Sequence, residues 1–339
     1  MMINVARATR HLLALATLAL ALPAVQASTT AYDEMLASGA TREGIYPRIV
    51  IRDDVGLAGS ATYAANAAFA GVVGLGYSGG QYCSGVLIAP STVLSARHCG
   101  PVAGEFVRFG TNFASPTFSA NIQSVFYPAG GTPGSALLDG GDLAILTLAS
   151  VVPSNIATPY LLSDATTALT GFAVATVGYG GSGIGSTGVT RFDDVRRGGS
   201  NVLDRYGAAV RSTGSIAATA NIFSTDFDNL AGTSNTLGWL GSQAAATSFE
   251  ATTGPGDSGG PLFIDNGGQW TLVGVLSGGT TNNSVYGDIS WWTGVAPYRS
   301  QIEAAGGMFT SVVPEPGSVL MILLGLGAIG ARLRRVRPC

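Results

Sequence analysis

Apolar residues in this chain fall into short runs separated by turns rich in glycine and proline. Val86-Leu87-Ile88 reads as a buried strand, Pro90-Ser91 as a turn and Val93-Leu94 as the returning strand. The same pattern predicts strands at Leu143–Leu148, Phe172–Val177 and Gln269–Leu276. Runs this short, with turns between them, predict an all-β chain. Longer apolar runs stand only at the two ends, so a polytopic membrane protein is excluded.

The N-terminal run, Leu12–Ala21, is broken only by Thr17. Arg7, Arg10 and His11 precede it, and Pro23 and Val25-Gln26-Ala27 follow. This is the grammar of a secretory signal, residues 1–27, removed by signal peptidase. The alternative is an uncleaved anchor, for which the run is short. The C-terminal run, Val319–Ile329, lies between Val313-Pro314-Glu315-Pro316-Gly317 and Arg332, Arg334, Arg335 and Arg337. It can enter a bilayer while the arginines hold its far end on the cytoplasmic side. Residues 313–339 resemble the PEP-CTERM sorting signal of Gram-negative bacteria. That resemblance implies transient membrane insertion, processing by an exosortase, and delivery to the cell surface or extracellular matrix. A plain tail anchor is the alternative.

Composition narrows the body between the two ends. Charged residues make up 11% of the 339, and the net charge is −3, so nothing points to nucleic acid. The apolar content opposes disorder, and the 49 glycines follow no collagen period. Export removes His11 and leaves one histidine, His98. A zinc site lacks its ligands, and no metal or cofactor is expected. Of three cysteines, Cys339 lies in the tail. Cys83 and Cys99 remain as an exported pair, closing a loop of about 16 residues that stabilises by roughly 3 kcal/mol.

Residues 83–99 end in Ser-Ala-Arg-His-Cys, and residues 254–262 read Gly-Pro-Gly-Asp-Ser-Gly-Gly-Pro-Leu. A nucleophile at Ser258 has to project from a tight turn. The N–H groups of Gly256 and Ser258 would converge there on an oxyanion, and a side chain at position 256 would hinder that turn. Asp142 opens the apolar stretch Leu143–Leu148, with Asp139 as its nearest competitor. The histidine stretch, the Gly-Asp-Ser-Gly-Gly-Pro motif and the order His98, Asp142, Ser258 resemble the trypsin-like (chymotrypsin-family) serine proteases. Arg97 departs from the family, which usually has Ala there. It could lower the imidazole pKa, line the cleft or point to solvent.

The resemblance implies two six-stranded antiparallel β-barrels over residues 49–305, about 49–155 and 165–300, with a short terminal helix within Val295–Ala305. Gly178-Tyr179-Gly180 resembles the family's Gly-Trp-Gly at the start of the second barrel. The stretch 181–250 is long for the family and is expected to form surface loops, with Asp226 and Asp228 a weak calcium signal. The family's substrate pocket maps to Thr252 at its base and Ser277, Gly278 and Gly279 on its wall, with Ser284 a further wall candidate. No acid stands at position 252, so a neutral P1 residue is expected, although Glu250 lies near enough in sequence to leave a basic P1 open. Arg48-Ile49-Val50 resembles an activation site that would make residues 28–48 a propeptide, with Asp257 receiving the new N-terminus. Against it, Ile51-Arg52 follows where the family has Gly-Gly, and the stretch to Cys83 is long. The alternative is constitutive activity with Asp257 paired to an internal arginine.

The function these residues imply is a secreted or surface-sorted serine endopeptidase acting on protein or peptide substrates. The competing readings are a catalytically inactive matrix-binding member of the family and a surface esterase using the same triad.

Overall fold

In the computed structural model, which describes residues 48–312 apart from 79, 130–138, 166–168, 211–215, 255 and 282, the Ile49-Val50-Ile51 run is a buried strand, β1 (Arg48–Ile51). The expected signal peptide, the propeptide before Arg48 and the sorting tail lie outside the described residues. A helix follows that no sequence signal announced, α1 (Gly56–Ala64). Its Ser60 hydroxyl donates to the carbonyl of Gly198 at 2.8 Å. This helix accounts for the long stretch before Cys83.

Six strands then close a barrel: β2 (Val72–Tyr77), β3 (Gly80–Ala89), β4 (Thr92–Ser95), β5 (Phe106–Phe109), β6 (Phe118–Phe126) and β7 (Ala144–Leu148). The ring runs β2-β3-β4-β7-β6-β5. Strand β6 alternates as a solvated wall must, with Ala120 and Ile122 buried and Ser119, Asn121 and Gln123 exposed. Strands β3 and β4 are buried almost throughout, since the other half of the molecule covers their outer face where Ser84 meets Ser258.

The second half begins with β8 (Leu162–Ser163), β9 (Ala173–Gly178), β10 (Gly181–Ile184), β11 (Gly188–Arg191), β12 (Arg197–Val202), β13 (Arg205–Val210) and β14 (Ile216–Asp226). It continues with β15 (Ala251–Gly254), β16 (Pro261–Asp265), β17 (Trp270–Gly279), β18 (Ile289–Gly294), α2 (Arg299–Ala304) and β19 (Phe309–Thr310). The main sheet runs β12-β9-β16-β17-β18-β14-β13, with β8 pairing both β17 and β19. A second sheet, β11-β10-β1-β15, binds the incoming strand. Among the described residues one ring of strands closes; in the second half the β13–β14 hairpin continues the ladder outward from β18.

The stretch 181–250 therefore differs from the surface loops expected of it. Its first part is strand, and Arg196 and Arg197 are buried. The Arg196 guanidinium donates to the carbonyls of Phe69 and Ala64, both at 2.9 Å, and Arg197 forms a bidentate pair with Asp193. Arginine reads as surface in a sequence, yet here carbonyls and a carboxylate satisfy the terminal guanidinium nitrogens inside the protein. The terminal helix is shorter than the expected segment because its first turn, Ala296–Tyr298, is 3₁₀ with Pro297 at its start. Among the described residues no helix is long and apolar enough to cross a membrane; the apolar segment 319–329 lies outside them.

Candidate active site

Three turns from the two halves meet in one place. His98 stands on a 3₁₀ turn, Arg97–Cys99, that ends at Gly100 in the left-handed region. The disulfide Cys83–Cys99 ties this turn back to β3, with the two Cα atoms 6.3 Å apart. Asp142 precedes β7 by two residues and is fully buried. Ser258 lies between β15 and β16, and its carbonyl accepts the N–H of Ser84 in the barrel at 2.8 Å.

The side chains form one hydrogen-bonded line. The Asp142 carboxylate accepts the backbone N–H of His98 at 2.8 Å, and its other oxygen is 2.6 Å from His98 Nδ1. His98 Nε2 is 2.7 Å from Ser258 Oγ. With Nδ1 facing a carboxylate, the proton belongs on Nδ1, so Nε2 is the acceptor for the serine hydroxyl. Asp139 does not compete for the imidazole: it is half exposed, and its oxygens face the N–H of Gly141 at 2.7 Å and the Arg97 guanidinium at 3.7 Å. Arg97 itself is buried, not directed to solvent.

The turn around the serine depends on glycine. Gly256 has φ +90° and Gly259 φ +81°. A Cβ at Gly259 would run into the Ser84 carbonyl and the Ser95 hydroxyl. The N–H groups of Asp257, Gly259 and Gly260 donate to the carbonyls of Gly254, Leu276 and Asp257. Among the described residues, no acceptor pairs with the N–H of Gly256 or of Ser258. The Asp257 carboxylate accepts from the N–H groups of Gly180 at 3.2 Å and Gly254 at 3.4 Å.

The expected pocket residues also come together. Thr252 is buried on β15, with its hydroxyl 3.1 Å from that of Ser290. Ser277 is buried on β17 and shares a hydrogen bond with Thr293 at 2.8 Å. Gly278 and Gly279 pair with Trp291 and Ser290 across the β17–β18 ladder. Ser284 donates to the carbonyl of Thr253 at 3.1 Å.

Residues 59–302 match the family model for trypsin. The chain belongs to the trypsin family. Residues 312–337 match the PEP-CTERM protein-sorting motif. Among solved structures the chain resembles mouse neuropsin, described as a serine protease expressed in the limbic system of mouse brain. The identity is 18%, the TM-score 0.54, and the match covers 70% of this chain and 94% of that one. At that identity the likeness shows the fold.

Two features of this trypsin-family chain escaped the sequence reading. Ser290 bonds to both Thr252 and Thr253, the latter at 2.7 Å. Its place was illegible in the sequence because strand register, not local pattern, sets it beside Thr252 and Thr253. The second feature is a group of buried acids, Asp204, Asp226, Asp228 and Glu250. Glu250 accepts from the N–H and hydroxyl of Thr247 at 2.7 and 2.6 Å, which commits it to its own loop. Asp226 accepts the N–H of Leu237 at 2.7 Å. Among the described residues, three His, Cys, Asp or Glu ligand atoms come within 4.8 Å of one another only at Cys83, His98 and Cys99, where the sulfurs are bonded to each other. Asp226 and Asp228, the weak calcium signal, lie in this acid group, but no three of its ligand atoms come within 4.8 Å of one another among the described residues.

Proposed function

We propose that this chain is an exported serine endopeptidase that cleaves peptide bonds through an acyl-enzyme. The observation that carries this reading is the line from Ser258 Oγ through His98, 2.7 Å from Nε2, to Asp142, 2.6 Å from Nδ1. His98 takes the hydroxyl proton as Oγ attacks the carbonyl carbon, then gives it to the leaving amine. Asp142 holds the tautomer and stabilises the imidazolium. The N–H groups of Gly256 and Ser258 receive the oxyanion. Water, deprotonated by His98, then releases the acyl group and restores the serine.

A neutral P1 residue suits the pocket. Its base carries the hydroxyls of Thr252, Thr253 and Ser290, and the nearby carboxylates are committed elsewhere: Glu250 to Thr247, and Asp288 to Thr281 and the N–H of Val285.

Cleavage after Arg48 is the activating step in this reading. In the β1–β15 pair Arg48 stands opposite Gly254, and in the β1–β10 pair opposite Gly181. The N–H of Gly254 and that of Gly180, next to Gly181, donate to Asp257. A new amino group at Ile49 would arise beside that carboxylate. Residues 1–27 are the export signal, 28–48 the propeptide and 49–305 the peptidase domain, with its halves at about 49–155 and 165–300. The tail 313–339 is inserted transiently, handled by an exosortase and lost as the protein reaches the surface of a Gram-negative cell.

The deciding experiment is labelling with a fluorophosphonate probe, with casein turnover set against that of a short ester. Labelling of the wild type but not of Ser258→Ala, with casein cleaved, supports the reading. Labelling of neither, or esters turned over without casein, refutes it.

A further inference from the structure

Arg97 and His98 are adjacent on one turn, and each reaches across to the turn that precedes β7. His98 meets Asp142, and Arg97 meets Asp139 at 3.7 Å. The two contacts form parallel rungs between the same two segments. They differ in their surroundings: Asp142 is fully buried, while Asp139 is half exposed. Arg97 is only 3% exposed, so a cation is held inside next to the imidazole's own turn.

The segment from Asp139 to Asp142 has little regular structure to hold it. It lies outside the barrel strands. Contacts at Asp139 and Gly140 shape it. Asp139 accepts the N–H of Gly141 at 2.7 Å, closing a local turn. The Tyr298 hydroxyl donates to the carbonyl of Gly140 at 2.7 Å. Arg97 holds the second oxygen of Asp139. Gly140 has φ +73° and packs against Asn221 with no room for a side chain. The Tyr298 hydroxyl is within electrostatic reach of Asp139, Arg97 and Asp142 alike, which places all four groups in one small region.

We propose that Arg97 is a positioning residue for the reaction: through Asp139 it holds the turn that presents Asp142, and so keeps the Asp142 carboxylate in register with His98. The proposal rests on the peptidase reading for its catalytic meaning, but its geometry can be read without turnover. A buried cation beside the imidazole has two ways to act. By positioning, it and Asp139 work as one unit, and losing either loosens Asp142 in the same sense. By charge alone, they oppose each other, and losing the cation and losing the anion push the imidazole in opposite senses.

The chain holds two histidines, His11 and His98, so ¹⁵N-histidine labelling of the full-length protein yields few signals, and His11→Gln assigns them. The readout is the proton on His98 Nδ1 that bridges to Asp142, followed by proton NMR alongside the fluorophosphonate labelling rate. The variants are Arg97→Ala, Asp139→Asn, their double, and Arg97→Lys. The expected result is that Arg97→Ala and Asp139→Asn both broaden this proton signal and move it the same way. The double variant is no worse than the worse single. Labelling falls by about ten- to a hundredfold with casein KM little changed, and Arg97→Lys restores most of both. Opposite displacements in the two single variants overturn the proposal in favour of a through-space charge effect. An unchanged proton signal in a folded Arg97→Ala overturns it as well. Should Arg97→Ala fail to fold, Asp139→Asn and Arg97→Lys decide: an unchanged signal in the former, or a lost one in the latter, is equally fatal. If the wild type shows the proton signal but no labelling, the peptidase reading fails while the NMR comparison still judges the positioning.

Discussion

The Asp204 carboxylate accepts the backbone N–H of Asp226 at 2.9 Å, joining two acids that both lie inside the protein. Asp228 and Glu250 complete the group. Burial raises all four above the usual carboxylate range, with Asp228 and Glu250 each pushed up to about 7. One oxygen of Asp228 is buried without a hydrogen-bond partner. The folded chain therefore keeps protons that the unfolded chain has already released. Stability from this group is complete below the unfolded value of about 4 and falls as pH rises through about 7 for Asp228 and Glu250 and about 9 for Asp204. Asp228→Asn removes part of that loss. Thermal unfolding should show the variant gaining more over the wild type at pH 8 than at pH 5; equal differences at the two pH values would contradict the account.

Activation is tested at Arg48. Arg48→Gln blocks the cleavage that would free Ile49 beside Asp257. If that new terminus orders the Gly256 and Ser258 amides, the unprocessed variant should lose roughly a hundredfold in casein turnover, in line with loss of an oxyanion donor. Treatment with a protease that cannot cut the altered site should not restore it. Full activity from uncut protein would show that Asp257 needs no new terminus.

Specificity is tested at Thr252. If Thr252 forms the pocket base as proposed, that base carries only hydroxyls, and a peptide library should show cleavage after neutral residues. Thr252→Asp places a carboxylate beside Ser290, which can supply it with a hydrogen bond. It should raise cleavage after Arg relative to the neutral preference by about tenfold or more. Strict Arg or Lys cleavage by the wild type would refute the neutral assignment.

The disulfide should matter for stability and for the site together. Cys83 and Cys99 are 16 residues apart, and replacing both by Ser should cost about 3 kcal/mol in equilibrium unfolding. Because Cys99 follows His98, the labelling rate should fall further than the unfolded fraction explains. A variant that labels at the wild-type rate when fully folded would limit the bridge to a structural role.

The strands around the site were legible because each reads in local terms. Val86-Leu87-Ile88 became part of β3, Val93-Leu94 part of β4, and Phe172–Val177 nearly coincides with β9. The turn at Pro90-Ser91 joins β3 to β4 as its residues require. The helix α1 was not legible. Its Gly56-Leu-Ala-Gly-Ser-Ala-Thr-Tyr-Ala carries two glycines, a weak apolar stripe and no capping side chain, so it owes its place to packing on β12. Arg196 and Arg197, inside the stretch expected to form surface loops, are buried for a related reason: carbonyls and a carboxylate supplied by folding hold them.

Sequence alone determined the residue types and their order. The glycines around Ser258, the acid that opens the Leu143–Leu148 run and the histidine between Arg97 and Cys99 are local constraints of turn and strand, and local constraints survive in one dimension. Tertiary structure decided everything that depends on distance between remote segments. It set His98 against Asp142 across 44 positions and against Ser258 across 160. It turned Arg97 inward to Asp139, put Ser290 beside Thr252, and buried four acids together. Those contacts join residues with no pattern between them, and only barrel closure and strand register bring them within hydrogen-bond reach.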